Sequence, residues 1–103
     1  MDASSIRKII ETEIGDDWSR LSPHGIDLKA CLVEPTLQSF KSQPEGASDW
    51  ELWLVLEENP ITRAGYKIAY DPEDRQFCLA YGSQPGASYV GHYGSFLDAL
   101  AAM

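Results

Sequence analysis

The chain has 103 residues, which suits a single domain, and its 16 acidic and 8 basic side chains give a formal charge of −8. A field of this sign repels phosphate backbones, so it argues against nucleic-acid binding and favours basic protein partners. Hydrophobic residues make up 44% of the chain, a proportion typical of globular proteins, which argues against disorder.

The start of the chain shows no targeting pattern. Met1 is followed by polar and charged residues without an apolar region, and no apolar run approaches the roughly 20 residues of a membrane span. Cys31 and Cys78 lie far apart, and no ligand-like spacing accompanies them. We therefore expect a cytoplasmic protein with two free thiols, no cofactor and no membrane contact.

Residues 4–15 are predicted to form the first helix. Asp2, Ser4 or Ser5 can cap its start, and Gly15 is a natural stop because glycine tolerates positive φ. The apolar stripe that predicts this helix consists of Ile6, Ile9, Ile10 and Ile14.

Residues 16–30 are less regular, with a short turn of helix expected at 26–30. Residues 31–41 then read as the first strand, and Pro35 confines that strand to a sheet edge because proline cannot donate to a ladder. Short turns join the later strands, so they are predicted to pair antiparallel. These later strands are 50–57, 66–71, 76–81 and 88–93.

A last helix is predicted through Met103. Ser95 and Asp98 form the S-x-x-D pattern that caps a helix start. The whole chain, 1–103, is therefore expected to be one α+β domain. Its predicted architecture is an antiparallel β-meander of four to five strands flanked by an N-terminal and a C-terminal helix.

The hairpin register predicts which side chains share a face. If each loop closes symmetrically, large apolar residues fall on one face, which the helices should cover. The predicted pairs are Tyr81–Ala87, Leu79–Tyr89, Phe77–Gly91, Tyr70–Phe77, Ile68–Leu79, Tyr66–Tyr81, Leu52–Tyr70, Leu54–Ile68 and Leu56–Tyr66.

The opposite face is predicted to be a shallow apolar patch with a charged rim, which is typical of a contact surface. Trp53 is its one large side chain. Residues 16–42 could cover the patch, a second copy could bind there, or a foreign partner could. The predicted partner surface consists of Trp53, Glu51, Glu57, Val55, Lys67 and His92.

The sequence gives little support for a catalytic site or a metal site. Cys78 and His92 fall diagonally on one face, but apolar neighbours should raise the thiol pKa rather than lower it. A thiol-dependent enzyme is therefore the least favoured hypothesis. The acids of residues 71–74 are similar to a calcium loop, but Pro72 and the missing downstream acid break the pattern. We predict no catalytic, cofactor or metal site.

Three segments resemble small uncharacterised bacterial cytoplasmic proteins of the toxin-immunity type. They are residues 51–58, 65–68 and 93–97. The resemblance implies a non-catalytic protein that docks on a toxin domain, and it carries no catalytic residue over.

Two functions follow as hypotheses. The first is a protein-binding module, in its most specific form an immunity-like protein that neutralises a basic toxin. The alternative is a small-ligand binding domain with a pocket between helix and sheet, lined by Trp18, Trp50 or the tyrosines.

Overall fold

The structure, a computed structural model, describes residues 2–16, 28–41, 49–83 and 86–103. The strands form one sheet in chain order, and every neighbouring pair is antiparallel. The elements are α1 (Ala3–Ile14), α2 (Leu28–Cys31), β1 (Leu32–Phe40), β2 (Trp50–Glu57), β3 (Tyr66–Asp71), β4 (Gln76–Tyr81), β5 (Ser88–Gly94) and α3 (Phe96–Ala102). The predicted α+β meander with a helix at each end is confirmed. No helix in these described ranges is long and apolar enough to cross a membrane.

Helix α1 begins and ends as its sequence indicates. The side chain of Asp2 accepts a hydrogen bond from the backbone N–H of Ser5 at 2.9 Å, so Asp2 is the capping residue. Gly15 follows the helix with φ +62°, a left-handed value that glycine adopts without strain. The apolar stripe faces inward, and its buried residues are Ile6, Ile10 and Ile14.

Helix α3 is capped by two side chains from different parts of the chain. The hydroxyl of Ser95 accepts a hydrogen bond from the backbone N–H of Asp98 at 3.1 Å, which confirms the predicted cap. The carboxylate of Glu13 in α1 accepts bonds from the backbone N–H groups of Phe96 and Leu97, at 3.1 and 3.3 Å. This second contact, which the sequence did not predict, fixes α3 beside α1.

The helix-side core lies between the helices and one face of the sheet. It is the larger of two clusters of buried apolar residues among the described parts of the chain. Its members are Ile6, Ile10, Ile14, Leu28, Cys31, Val55, Leu56, Ile68, Tyr70, Phe77, Leu79, Phe96, Ala99, Leu100 and Met103.

The register between β2 and β3 differs from the prediction. Leu54 lies opposite Ala69 and Leu56 opposite Ile68, so Val55 is an extra residue that forms a bulge. The predicted pairs Leu52–Tyr70, Leu54–Ile68 and Leu56–Tyr66 are wrong. A symmetric loop cannot anticipate a bulge, and one extra residue moves every side chain beyond it to the other face.

The later hairpins give a mixed result. All three predicted pairs between β3 and β4 are confirmed, since Tyr66, Ile68 and Tyr70 face their expected partners. Between β4 and β5 two irregularities shift the ladder, so Phe77 lies opposite Gly94, and Gly91 lies opposite Leu79. The predicted pairs Phe77–Gly91, Leu79–Tyr89 and Tyr81–Ala87 are therefore wrong.

The second core fills the opposite face of the sheet. Its buried members are Phe40, Leu52, Leu54, Ala69, Cys78, Ala80 and Ala87. The sheet curls around this face until its first and last strands meet: the N–H of Lys41 donates to the carbonyl of Ala87 at 2.9 Å, and the N–H of Tyr89 donates to the carbonyl of Lys41 at 2.8 Å. The two edge strands themselves therefore help to cover this face, and β1 belongs to the stretch 16–42 that was named as a possible cover.

Trp53 is not on that face. It lies opposite Tyr70 and packs, half-buried, against the helix-side core. Within the stretch 16–42, Val33 and Phe40 contribute to covering the second core, whereas residues 17–27 and 42 lie outside the described residues, as does the predicted pocket residue Trp18.

Candidate functional site

A groove of about 540 Å³ lies where β2 begins and β3 ends. Of the eight side chains that line it, four are carboxylic and two are tryptophans, and none of these eight is basic. They are Leu37, Asp49, Trp50, Glu51, Trp53, Asp71, Pro72 and Glu73. We call this site the acidic tryptophan groove.

The end of the β2–β3 ladder creates this groove. The ladder ends at the pair Trp53–Tyr70, so β2 continues toward Trp50 beyond the last residue that it pairs in β3. The β3–β4 turn, residues 72–75, leaves the sheet beside this extension. Carboxylates from both segments therefore come together at one end of the sheet.

The groove offers both charge and an aromatic surface. Asp49, Glu51 and Glu73 are exposed, whereas both tryptophans are half-buried. Exposed carboxylates attract a cation over a distance of about one Debye length, and a tryptophan ring can then hold it through a cation–π contact. The lining thus combines groups that can attract a positive charge with groups that can contact an apolar part of the same ligand.

A hydrogen-bonded chain behind the groove fixes one wall of it. Asp71 is buried, and its Oδ1 accepts a hydrogen bond from the backbone N–H of Glu73 at 3.0 Å. Its Oδ2 lies 2.9 Å from Nε2 of His92, whose Nδ1 is hydrogen-bonded to the hydroxyl of Tyr89. The ring of Tyr89 stacks on Trp50 with centroids 4.9 Å apart, so Trp50 is held from behind.

Burial raises the pKa of Tyr89, and four ionisable neighbours add to the effect when they carry negative charge: Cys78, Asp71, Asp74 and Tyr93. The phenol therefore stays protonated at neutral pH and can donate its O–H to the imidazole.

The six residues of the predicted partner surface do not share one exposed surface. Trp53 and Glu51 line the groove, and His92 lies behind its wall. Val55, Glu57 and Lys67 are buried, and this corrects the expectation that they belong to an open patch and its rim. The bulge moves Val55 into the helix-side core. Glu57 lies opposite Lys67 beyond the bulge, and the two are buried as an ion pair.

Glu57 and Lys67 form a buried ion pair instead. Nζ of Lys67 lies 3.6 Å from Oε1 of Glu57 and donates to the carbonyl of Arg63 at 2.7 Å. The Nε of Arg63 also binds Glu57, at 3.0 Å. Burial lowers the pKa of Lys67, and the neighbouring Glu57 opposes this effect. These residues close the β2–β3 loop and have a structural role.

Cys78 offers no thiolate for catalysis. It is fully buried, and it lies directly opposite His92 in the β4–β5 ladder rather than diagonal to it. Burial, together with the charges of Asp71 and Asp74, raises the pKa of its thiol to about 12. A thiol with such a pKa is almost entirely protonated at neutral pH.

Sequence reasoning missed part of this site. Trp53 and Glu51 were named, and Trp50 was named as a ligand-pocket residue, but Asp49 was not singled out. Asp71 and Glu73 were noticed as a broken calcium loop. The usable signal was the acid-rich turn itself, and only the correct register could have placed it beside β2.

Comparison with known proteins adds no relative. No family model, no curated protein and no solved structure matches the chain.

Proposed function

We propose that this chain is a non-catalytic protein-binding module that receives a basic segment of another protein in the acidic tryptophan groove. The observation that carries this proposal is the groove lining, which includes four carboxylates and two tryptophans. Tryptophan is the residue type most enriched among binding hot spots, and acidic rims speed the encounter with basic partners.

The charge of the whole molecule supports the same partner. A net charge of −8 attracts basic proteins at long range, and the groove concentrates that charge at one place. A second copy of the chain is a poor occupant because it would bring its own acidic surface against four carboxylates. We therefore favour a foreign partner over the homodimer that the sequence also allowed.

The most specific form of the proposal is an immunity-like protein that neutralises a basic toxin domain. Its support is the resemblance of residues 51–58, 65–68 and 93–97, together with the acidity of the groove. Glu51 and Trp53 belong to both the first of these segments and the groove lining.

A small organic cation is the second candidate occupant. The cavity between α1 and β1, lined by Ile10 and Leu32 among others, measures about 10 Å³ and is too small for a ligand. The acidic tryptophan groove falls within the roughly 300–1,000 Å³ of typical ligand sites and includes the expected Trp50.

The test is a binding titration with a short synthetic peptide that alternates Arg and Leu, followed by tryptophan fluorescence and calorimetry. The variant Glu51→Gln/Glu73→Gln removes two groove charges. The control Glu11→Gln/Asp98→Asn removes two exposed charges elsewhere, so both variants have the same net charge. We expect about ten-fold weaker binding for the groove variant, because each of the two exposed charge contacts that it removes contributes up to about 1 kcal/mol.

The control should bind within about two-fold of the unmodified chain, a difference that corresponds to about 0.4 kcal/mol. Equal losses in both variants would show that net charge alone attracts the peptide, and this result would overturn the groove assignment. No binding of the peptide together with tight binding of free arginine amide would favour the small-cation alternative.

A further inference from the structure

Three potential metal ligands converge behind the groove. Nε2 of His92 and one carboxylate oxygen each of Asp71 and Asp74 lie within 4.8 Å of one another. Nε2 is 2.9 Å from Oδ2 of Asp71 and 3.6 Å from Oδ2 of Asp74. The three come from β3, the β3–β4 turn and β5, so folding alone brings them together.

The imidazole is approached by more negative groups than it can satisfy. The neutral ring has at most one hydrogen on Nε2, and that hydrogen can point at only one carboxylate. Asp71 is only 5% exposed, so its charge is poorly screened by water. A dication placed between the three atoms would balance both carboxylates at once.

The imidazole is also held in the orientation that a metal requires. The Tyr89 hydroxyl engages Nδ1, and the ring of Trp50 meets the imidazole edge-on at 5.5 Å. When a metal takes the lone pair of Nε2, the ring proton belongs on Nδ1 and is donated to the Tyr89 oxygen. Such an outer hydrogen bond is the usual support of a metal-bound histidine.

We propose that Asp71, Asp74 and His92 bind one divalent transition metal ion, with Zn²⁺ the best-matched probe. Zinc bonds of about 2.0–2.2 Å in tetrahedral geometry separate neighbouring ligand atoms by about 3.3–3.5 Å, and the two observed distances bracket this range. The imidazole nitrogen disfavours Ca²⁺, which takes six to eight oxygen ligands. The Asp74 side chain is 60% exposed, so it can adjust its position. The three protein ligands leave the fourth zinc position open to water.

This site is separate in function from the acidic tryptophan groove, although Asp71 contributes to both. Its test therefore uses no peptide. The 103-residue chain, freed of metal by a chelator, is titrated with Zn²⁺ by calorimetry. The variants are Asp74→Asn, in the exposed turn, and His92→Gln.

Three control variants remove other candidate ligands. Asp98→Asn replaces an exposed aspartate on α3. Cys78→Ala removes the thiol of the residue opposite His92. His24→Gln removes the second histidine, which lies outside the described residues. Circular dichroism confirms the fold of each variant.

We expect one zinc ion per chain, about ten-fold weaker binding in Asp74→Asn and no measurable binding in His92→Gln, while the three controls bind within about two-fold. Nitrogen-15 spectra of the imidazole should show the proton moving from Nε2 to Nδ1 as zinc is added. Unchanged affinity in Asp74→Asn and His92→Gln would overturn the proposal. So would loss of zinc in Cys78→Ala or His24→Gln, or Ca²⁺ binding as tight as that of Zn²⁺.

Discussion

The carboxylate of Glu13, near the end of α1, accepts a hydrogen bond from the backbone N–H of Phe96, the first residue of α3, at 3.1 Å. It also accepts from Leu97, and Ser95 accepts from Asp98. A helix start leaves about four N–H groups without partners inside the helix, and here two side chains satisfy three of them. The position of α3 on the sheet therefore depends on α1.

Replacing Glu13 by alanine should lower the free energy of unfolding by about 1–2 kcal/mol, because two backbone N–H groups lose a charged acceptor. Urea denaturation measures this change. Glu11→Ala is the matched control, since Glu11 is exposed on the same helix, and it should change stability by less than about 0.5 kcal/mol. Equal effects of the two substitutions would refute the capping role of Glu13.

Ser95→Ala should cost about 1 kcal/mol, the usual loss when a capping hydroxyl is removed. The urea midpoint of the variant gives this value. In the double variant with Glu13→Ala, the two losses should not add, because both side chains cap the same short helix. A loss of only a few tenths of a kcal/mol would mean that the Ser95 contact does not stabilise α3.

Leu54→Ala should cost about 2–5 kcal/mol, since Leu54 is 1% exposed within the second core. A double-mutant cycle tests its location. The loss should couple with that of Phe40→Leu, a member of the same core, by at least about 0.5 kcal/mol. It should add independently to the loss of Ile6→Val, which lies in the helix-side core. The reverse result would place Leu54 under the helices, as the symmetric register predicted.

The buried pair Glu57–Lys67 should respond very differently to single and double substitution. Glu57→Leu leaves the Lys67 ammonium buried without its carboxylate and should cost about 3–5 kcal/mol. Adding Lys67→Met removes the uncompensated charge, so most of the stability should return. Thermal or urea unfolding of the two variants decides the point; a double variant that is less stable than Glu57→Leu would contradict it.

Cys78 should make stability fall at alkaline pH. Its pKa rises from 9.0 to about 12 on folding, so above pH 9 the unfolded chain loses a proton that the folded chain keeps. The folded state then binds more protons, and the free energy of unfolding decreases as pH rises, by at most about 1.4 kcal/mol per pH unit. The contribution is fully present below pH 9 and is lost between pH 9 and about 12.

The comparison that isolates this effect is between the unmodified chain and Cys78→Ala, with urea midpoints taken at several pH values above 9. The unmodified chain should show the steeper decline. Parallel declines in the two proteins would assign the pH dependence to other groups.

The sequence predicted the elements of this fold better than their pairing. The β3–β4 register follows from one tight turn without a bulge, so Tyr70 and Phe77 were placed correctly. The bulge at Val55 leaves no signal in a period-two pattern, and it moved Leu54 to the other core. The Glu13 cap depends on how two distant helices dock, which local patterns do not report.

For the candidate groove, too, the sequence identified individual residues but not which of them come together. Trp53 and Glu51 were recognised as contact residues because they stand out along their own strand. Asp71 and Glu73 lie beside them only because the β2–β3 ladder ends at Trp53–Tyr70. The position where a ladder ends depends on the pairing of two strands, so it cannot be read from either segment alone.

The meeting of β1 and β5 at Lys41 has a consequence for aggregation. A meander sheet ends in two edge strands, and unpaired edges can template the addition of foreign strands. Here the Lys41 backbone pairs with Ala87 and Tyr89, so part of each edge is used within the molecule. The irregularity between Leu32 and Thr36, where Pro35 also removes an N–H donor, interrupts the first half of β1. The fold thus limits the length of β1 edge on which another chain could grow.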